Sequence, residues 1–178
     1  MSLYSNKTTL FCKCLSERDK IGKQNNKLKF RLPLTPLPEI VMKILHATSE
    51  LYPLIKTGGL ADVLGALPFA QQKRGDDVRV VMPYYRQVRE AFPETVEIAS
   101  RDTFGGYVTV RFATFNEVGI YFVDAPHLFD REGNPYHDAH YADYSDNVIR
   151  FGVLSWAAAA LACGLDEQWG KPEVLHAH

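Results

Sequence analysis

Lys43-Ile44-Leu45-His46-Ala47-Thr48-Ser49-Glu50-Leu51-Tyr52-Pro53-Leu54-Ile55-Lys56-Thr57-Gly58-Gly59-Leu60-Ala61-Asp62-Val63-Leu64-Gly65-Ala66-Leu67 is the stretch that decides the fold. It reads as a short apolar strand over 42–48, a loop over 49–57, and an amphipathic helix from about Gly59 to Arg74. Leu60, Val63, Leu64, Leu67 and Ala70 recur at helical spacing and form the expected apolar stripe. Pro68 should kink or restart that helix, and Gly75 should end it in the left-handed region. Paired glycines at a helix start let backbone N–H groups approach an anion, where the helix dipole also favours negative charge. Lys56 adds a mobile cation just outside that end. The chemistry points to a phosphate or diphosphate site at the first strand-to-helix turn. The spacing matches neither the dinucleotide fingerprint nor the P-loop, so a simple tight turn stands beside that reading.

Outward from this stretch, Asp77 to Met82 is a second strand, which completes a right-handed strand–helix–strand unit. Pro83 to Phe92 reads as a short helix or helical loop. Three β-rich runs follow, over 95–100, 107–115 and 118–123. Asn116-Glu117 sits between the last two as a hairpin turn, and Gly105-Gly106 marks another. A hairpin inserted into a parallel scheme predicts an antiparallel extension at one sheet edge.

Residues 124–140 form a polar, aromatic loop longer than most connections in compact domains, which is a common mark of function. Tyr136, His137 and Asp138 suit stacking on sugar rings and hydrogen bonding to hydroxyls, or the filling of a local satellite cluster. A long helix over 145–162 carries Val148, Phe151, Gly152, Leu154, Ser155, Ala158, Ala159 and Ala162 on its expected apolar face. A last strand, 173–178, places His176 and His178 on one face at the carboxyl edge of a parallel sheet. A metal ion there needs a third ligand, and the sequence shows none. The alternative is a pair of hydrogen-bonded histidines.

The 178 residues, 46% hydrophobic and 23% charged, fit one soluble domain with a sizeable core. A net charge of −1 gives no global signal for nucleic acid or an anionic membrane. No apolar run is long enough to span a bilayer. Cys12, Cys14 and Cys163 are too few and too uneven for a disulfide framework and fit a reducing compartment. Residues 1–41 differ from the rest, with eight lysines and arginines against three acids and Pro33, Pro36 and Pro38 spaced like a linker. They are expected to be a disordered basic extension ahead of a domain over 42–178. They lack a secretory h-region and the clear amphipathic pattern of a transit peptide.

Several strings in one order resemble the bacterial glycogen synthases and the related plant starch synthases. They are Met42 to Glu50, Lys56-Thr57-Gly58-Gly59-Leu60-Ala61-Asp62-Val63, Asp102-Thr103-Phe104, Val118-Gly119-Ile120-Tyr121 and Asp124-Ala125-Pro126. Pro135-Tyr136-His137-Asp138, Tyr144-Ser145-Asp146-Asn147 and His176-Ala177-His178 continue the match, which covers 42–178.

The resemblance implies an α/β fold: a Rossmann-like parallel sheet with a β-hairpin extension, the N-terminal half of a GT-B two-domain glycosyltransferase. It implies a retaining glucosyltransferase moving glucose from ADP-glucose to the non-reducing end of an α-1,4-glucan or maltooligosaccharide. Lys56, Gly58 and Gly59 are then expected at the donor diphosphate, Glu50, Asp62, His176 and His178 along the cleft, and Tyr136, His137 and Asp138 on the acceptor side. ADP-glucose is a substrate, so no cofactor and no metal are expected, nor nucleic-acid or membrane partners. The bacterial cytoplasm is the expected location, with a plastid as the alternative. In the resembled family the terminal motif continues as His-Asp-Trp and a second domain follows. The chain is therefore expected to be one half of a site, with no complete catalytic set and no activity alone. The competing readings are a non-catalytic glycan- or nucleotide-binding module and a sucrose synthase-like transferase.

Overall fold

The computed structural model describes residues 41–178. The expectations for the basic stretch 1–41, and for Cys12 and Cys14, fall on residues outside that range except Val41. A six-stranded sheet runs through the domain in the order β3-β4-β5-β2-β1-β6. The strands are β1 Lys43–Ala47, β2 Asp77–Pro83, β3 Val96–Thr103, β4 Gly106–Phe115, β5 Val118–Asp124 and β6 Val174–Ala177. Strands β5, β2, β1 and β6 are parallel, and β3 and β4 extend the sheet as an antiparallel hairpin. The expected architecture is therefore present, with the antiparallel extension at one sheet edge.

Burial explains the arrangement. Ile44, Leu45, Val78, Val80, Val81, Met82 and the whole run Val118 to Val123 are buried, as strands covered on both faces require. β3 lies at the rim, and only its partner β4 sends Val108 and Val110 into the core. Asn116 and Glu117 both take positive φ (47° and 71°), the conformation that a two-residue hairpin loop with matched twist demands.

The helix expected over 59–74 is two helices, α1 Gly59–Leu64 and α2 Leu67–Lys73. Pro68 lies in the first turn of α2, where its missing N–H costs nothing, so it restarts the helix rather than bending it. The break turns the buried face to Ala61, Leu64 and Pro68 and leaves Val63 and Ala70 of the expected stripe exposed. Gly75, at φ +98°, ends α2 as expected.

α3 is Arg86–Ala91, and the long 124–140 segment holds a single helical turn, α4 Pro126–Phe129. α5 is Asn147–Ala162 and packs on β1, β2 and β5. Its buried positions are Arg150, Val153, Leu154, Ala157, Ala158 and Leu161, a regular i, i+3, i+4 series. Val148, Ser155 and Ala159, expected on that face, are exposed. The buried face is rotated from the expected one, and Arg150 lies on it. Its guanidinium donates to the carbonyls of Leu128 and Pro135 (both 2.9 Å) and to Asn147 Oδ1 (2.6 Å), so burial leaves it satisfied.

The connections give the site its place. From β1 the chain steps to β2 and on to β5, then returns across the sheet through α5 to β6 on the far side of β1. The strand order reverses between β1 and β6. In open α/β sheets ligands bind outside the carboxyl ends of the strands at such a reversal. The loop after β1 and the end of β6 both lie there.

Candidate functional site

The loop from Thr48 to Gly58 leaves the carboxyl end of β1 and delivers the glycine pair to the start of α1. Thr48 Oγ1 donates to the carbonyl of Glu50 (2.8 Å), and Leu51 and Ile55 bond each other's backbone, which pins the loop base. Glu50 was expected to line a cleft. It is 2% exposed and lies beneath the loop. Its Oε2 accepts the N–H groups of Thr57 (2.6 Å) and Gly58 (3.2 Å), and its Oε1 accepts the hydroxyls of Thr57 (2.5 Å) and Tyr136 (2.7 Å). Burial alone would raise the Glu50 pKa, but these donors outweigh it and hold the carboxyl below its ordinary value.

This arrangement changes what the glycines can do. The N–H groups of Thr57 and Gly58 are already committed to Glu50. A Cβ built on Gly58 or Gly59 would meet nothing within 4 Å, so both face open space above a braced loop. Lys56 is half-exposed, and its ammonium contacts both oxygens of the half-exposed Asp62 carboxylate (2.6 and 2.8 Å). The cation is thus held at the mouth of the loop by the first turn of α1. An incoming anion would compete with Asp62 for it. In water such an exposed pair is weak, and the competition costs little.

Tyr136 joins this site from a segment 86 residues away through Glu50, and it shares a hydrogen bond of 2.7 Å with Ser49 Oγ. His137 and Asp138 spend their polar atoms within their own loop. His137 Nε2 lies 3.1 Å from Asp143 Oδ1, and Asp138 Oδ1 accepts the N–H groups of His140 (2.8 Å) and Ala142 (3.0 Å). Those backbone donors lower the Asp138 pKa. The triplet expected on the acceptor side therefore divides: Tyr136 is hydrogen-bonded to Glu50 and Ser49 of the Lys56 loop, and its two neighbours bond within their own segment.

At the end of β6, His176 and His178 share a face as expected. The sequence showed them no third partner, and the structure supplies one. His46 is the register partner of His176, with ring centroids 5.1 Å apart. His46 is fully buried; its Nε2 donates to Gln71 Oε1 on α2 (2.7 Å), and its Nδ1 lies 2.9 Å from His178 Nε2. Burial, and the neighbouring imidazoles, bring the His178 pKa down to about 4. Burial also lowers His46.

From the sequence alone His46 is simply a residue of the first strand. A signal existed: Leu45-His46-Ala47 and Leu175-His176-Ala177 are the same tripeptide, and the parallel pairing sets them side by side, residue for residue. The sequence does not mark the roles of Thr57, Gln71 and Arg150. Their roles depend on distant partners, and no local spacing marks them.

The profile of the family described as starch synthase catalytic domain matches residues 43–178. A glycogen synthase of Actinobacillus pleuropneumoniae is 62% identical over 137 residues, which cover 77% of this chain and 29% of that protein. Glycogen synthases of Glaesserella parasuis (62%) and Haemophilus influenzae (58%) match over the same length, 77% of this chain and 28–29% of theirs. The chain thus spans under a third of the length of these relatives. Among solved structures, the catalytic domain of starch synthase IV from Arabidopsis thaliana, bound to ADP and acarbose, superposes with a TM-score of 0.58 at 24% identity, covering 78% of this chain and 28% of that one. That likeness supports the GT-B, Rossmann-like fold.

Proposed function

The chain belongs to the starch synthase catalytic domain family, whose members are glucosyltransferases, and from that premise we propose that it forms the N-terminal part of an enzyme of glycogen synthesis. In this reading the enzyme moves glucose from ADP-glucose, with retention, to the non-reducing end of an α-1,4-glucan or maltooligosaccharide. One observation carries the proposal: a loop at the strand-order reversal, braced from below by Glu50, presents Lys56 and two unobstructed glycines outward.

Lys56, Gly58 and Gly59 would receive the diphosphate. As the glucosyl carbon becomes cation-like, the departing ADP gains negative charge. A lysine already fixed where that charge develops stabilises the transition state more than the ground state. The brace matters because a loop that had to order itself during the reaction would lose part of that advantage. Asp62 would hold the ammonium in place until the donor arrives. His176 and His178 would border the cleft, and Tyr136, with the loop bearing His137 and Asp138, would lie toward the glucan.

The relatives are bacterial, and among the described residues no helix is long and apolar enough to cross a membrane. A cytoplasmic location agrees with both. The whole set of catalytic groups would need residues beyond those of this chain, since the matched residues cover only 29% of the relative.

The test is a chimera in which residues 43–178 replace the matched segment of the Actinobacillus pleuropneumoniae glycogen synthase. Transfer of radiolabelled glucose from ADP-glucose to glycogen should proceed in the chimera. Lys56→Ala should lower kcat/KM for ADP-glucose by about a hundredfold or more, the loss typical of one anion-stabilising donor. Unchanged donor kinetics in that variant would remove the assigned role.

A further inference from the structure

We propose that His46, His176 and His178 form a binding site for a borderline divalent transition-metal ion such as Zn²⁺. Imidazole nitrogens are the ligands such ions prefer, and three from one protein with a water in the fourth position make a common coordination set. The donor atoms of the three rings all lie within 4.8 Å of one another. The rings sit at centroid separations of 5.1, 5.2 and 4.0 Å, so they already converge.

The geometry needs little adjustment. A tetrahedral ion with Zn–N bonds of about 2.0–2.1 Å sets its ligand nitrogens about 3.3 Å apart. His46 Nδ1 and His178 Nε2 are 2.9 Å apart, so that pair must open by a few tenths of an ångström. His176 is exposed, and rotation of its side chain can bring its nitrogen in without disturbing the core.

One ligand is already prepared. His46 donates its Nε2 hydrogen to Gln71 Oε1, which fixes the tautomer and leaves the Nδ1 lone pair facing the other two histidines. Metal-bound histidines ordinarily make this outer contact to a carbonyl or carboxylate, and it sets both ring orientation and basicity. β1 holds His46 at zero exposure, β6 carries His176, and His178 follows β6 with its N–H bonded to the Ala47 carbonyl (3.1 Å). The site thus combines one immobile ligand with two adjustable ones. It stands independently of the glucan synthase reading, because it is measured without sugar nucleotide or glucan.

The test uses the whole chain with its three cysteines replaced by serine, so that no thiol competes for metal. Zinc chloride, titrated by calorimetry in a non-coordinating buffer, should bind at one ion per chain. Co²⁺ in its place should give the intense visible bands of a tetrahedral site, bleached by added zinc. His176→Ala, an exposed change that leaves the fold intact by circular dichroism, should weaken zinc binding at least tenfold. Gln71→Leu should weaken it by about 10–100-fold through loss of the outer contact. Absence of saturable one-to-one binding, or undiminished affinity in His176→Ala, would overturn the site. Undiminished affinity in Gln71→Leu would overturn the assignment of His46 Nδ1 as a ligand.

Discussion

Replacing Glu50 by alanine should loosen the Lys56 loop without dismantling the sheet. The carboxylate accepts four hydrogen bonds, two from backbone N–H groups of Thr57 and Gly58 and two from the hydroxyls of Thr57 and Tyr136. The hydroxyls can redirect, since Tyr136 already shares a bond with Ser49 and Thr57 is exposed to water. The two N–H groups have no other protein acceptor in place. Each orphaned donor costs about 1–3 kcal/mol, with the lower end favoured here because water can reach an exposed loop. The change should therefore destabilise the loop by about 2–4 kcal/mol. Glu50→Gln should cost less, about 1 kcal/mol, because one carbonyl oxygen can still accept from the backbone while the new NH₂ group turns toward the hydroxyls.

Amide hydrogen exchange followed residue by residue reads this directly. Thr57 and Gly58 should lose protection by the largest factor, with Ile55 next and the amides of β2 and β5 unaffected. The pH dependence has a definite sign. The carboxyl is held below its ordinary value in the folded chain, so its contribution is present above the unfolded carboxyl pKa of about 4.3 and disappears as pH falls through the lower folded value. Wild-type protection at Thr57 and Gly58 should fall in that acid window, and that of the alanine variant should not. If Glu50→Ala left exchange at both amides at the wild-type rate, the brace would not exist as described.

Two further outcomes concern stability, both checked by urea denaturation. Arg79 stacks between Phe112 and Trp169 (4.7 and 4.6 Å to the ring centres) and pairs with the buried Asp166 at 2.9 Å, so Arg79→Ala should cost about 3–5 kcal/mol by leaving that carboxylate without its cation. Glu117→Gly should stabilise the domain by about 1 kcal/mol, because Glu117 holds φ +71° in the β4–β5 turn, a conformation that costs an L residue about 1–2 kcal/mol and glycine almost nothing. An unchanged or lower midpoint for that variant would contradict the assigned turn strain.

Periodicity and punctuation settled much of this protein from the sequence alone. The first strand, the glycine stop after α2, the Asn116-Glu117 hairpin and the antiparallel extension were all legible, because each depends on residues within a few positions of one another. Family membership was legible too, since ordered strings such as Lys56 to Val63 need no geometry to be recognised. The buried face of α5 was not legible: a charged Arg150 turns inward only because carbonyls of distant segments wait for it. Glu50 and the histidine at position 46 are the sharper cases. A carboxylate is read as surface until a folded loop supplies it with four donors. A histidine in a strand acquires its neighbours only from strand order and register. Both are set by contacts between residues 86 and 130 positions apart, and no local pattern in a chain encodes which distant backbone will come to lie beside it.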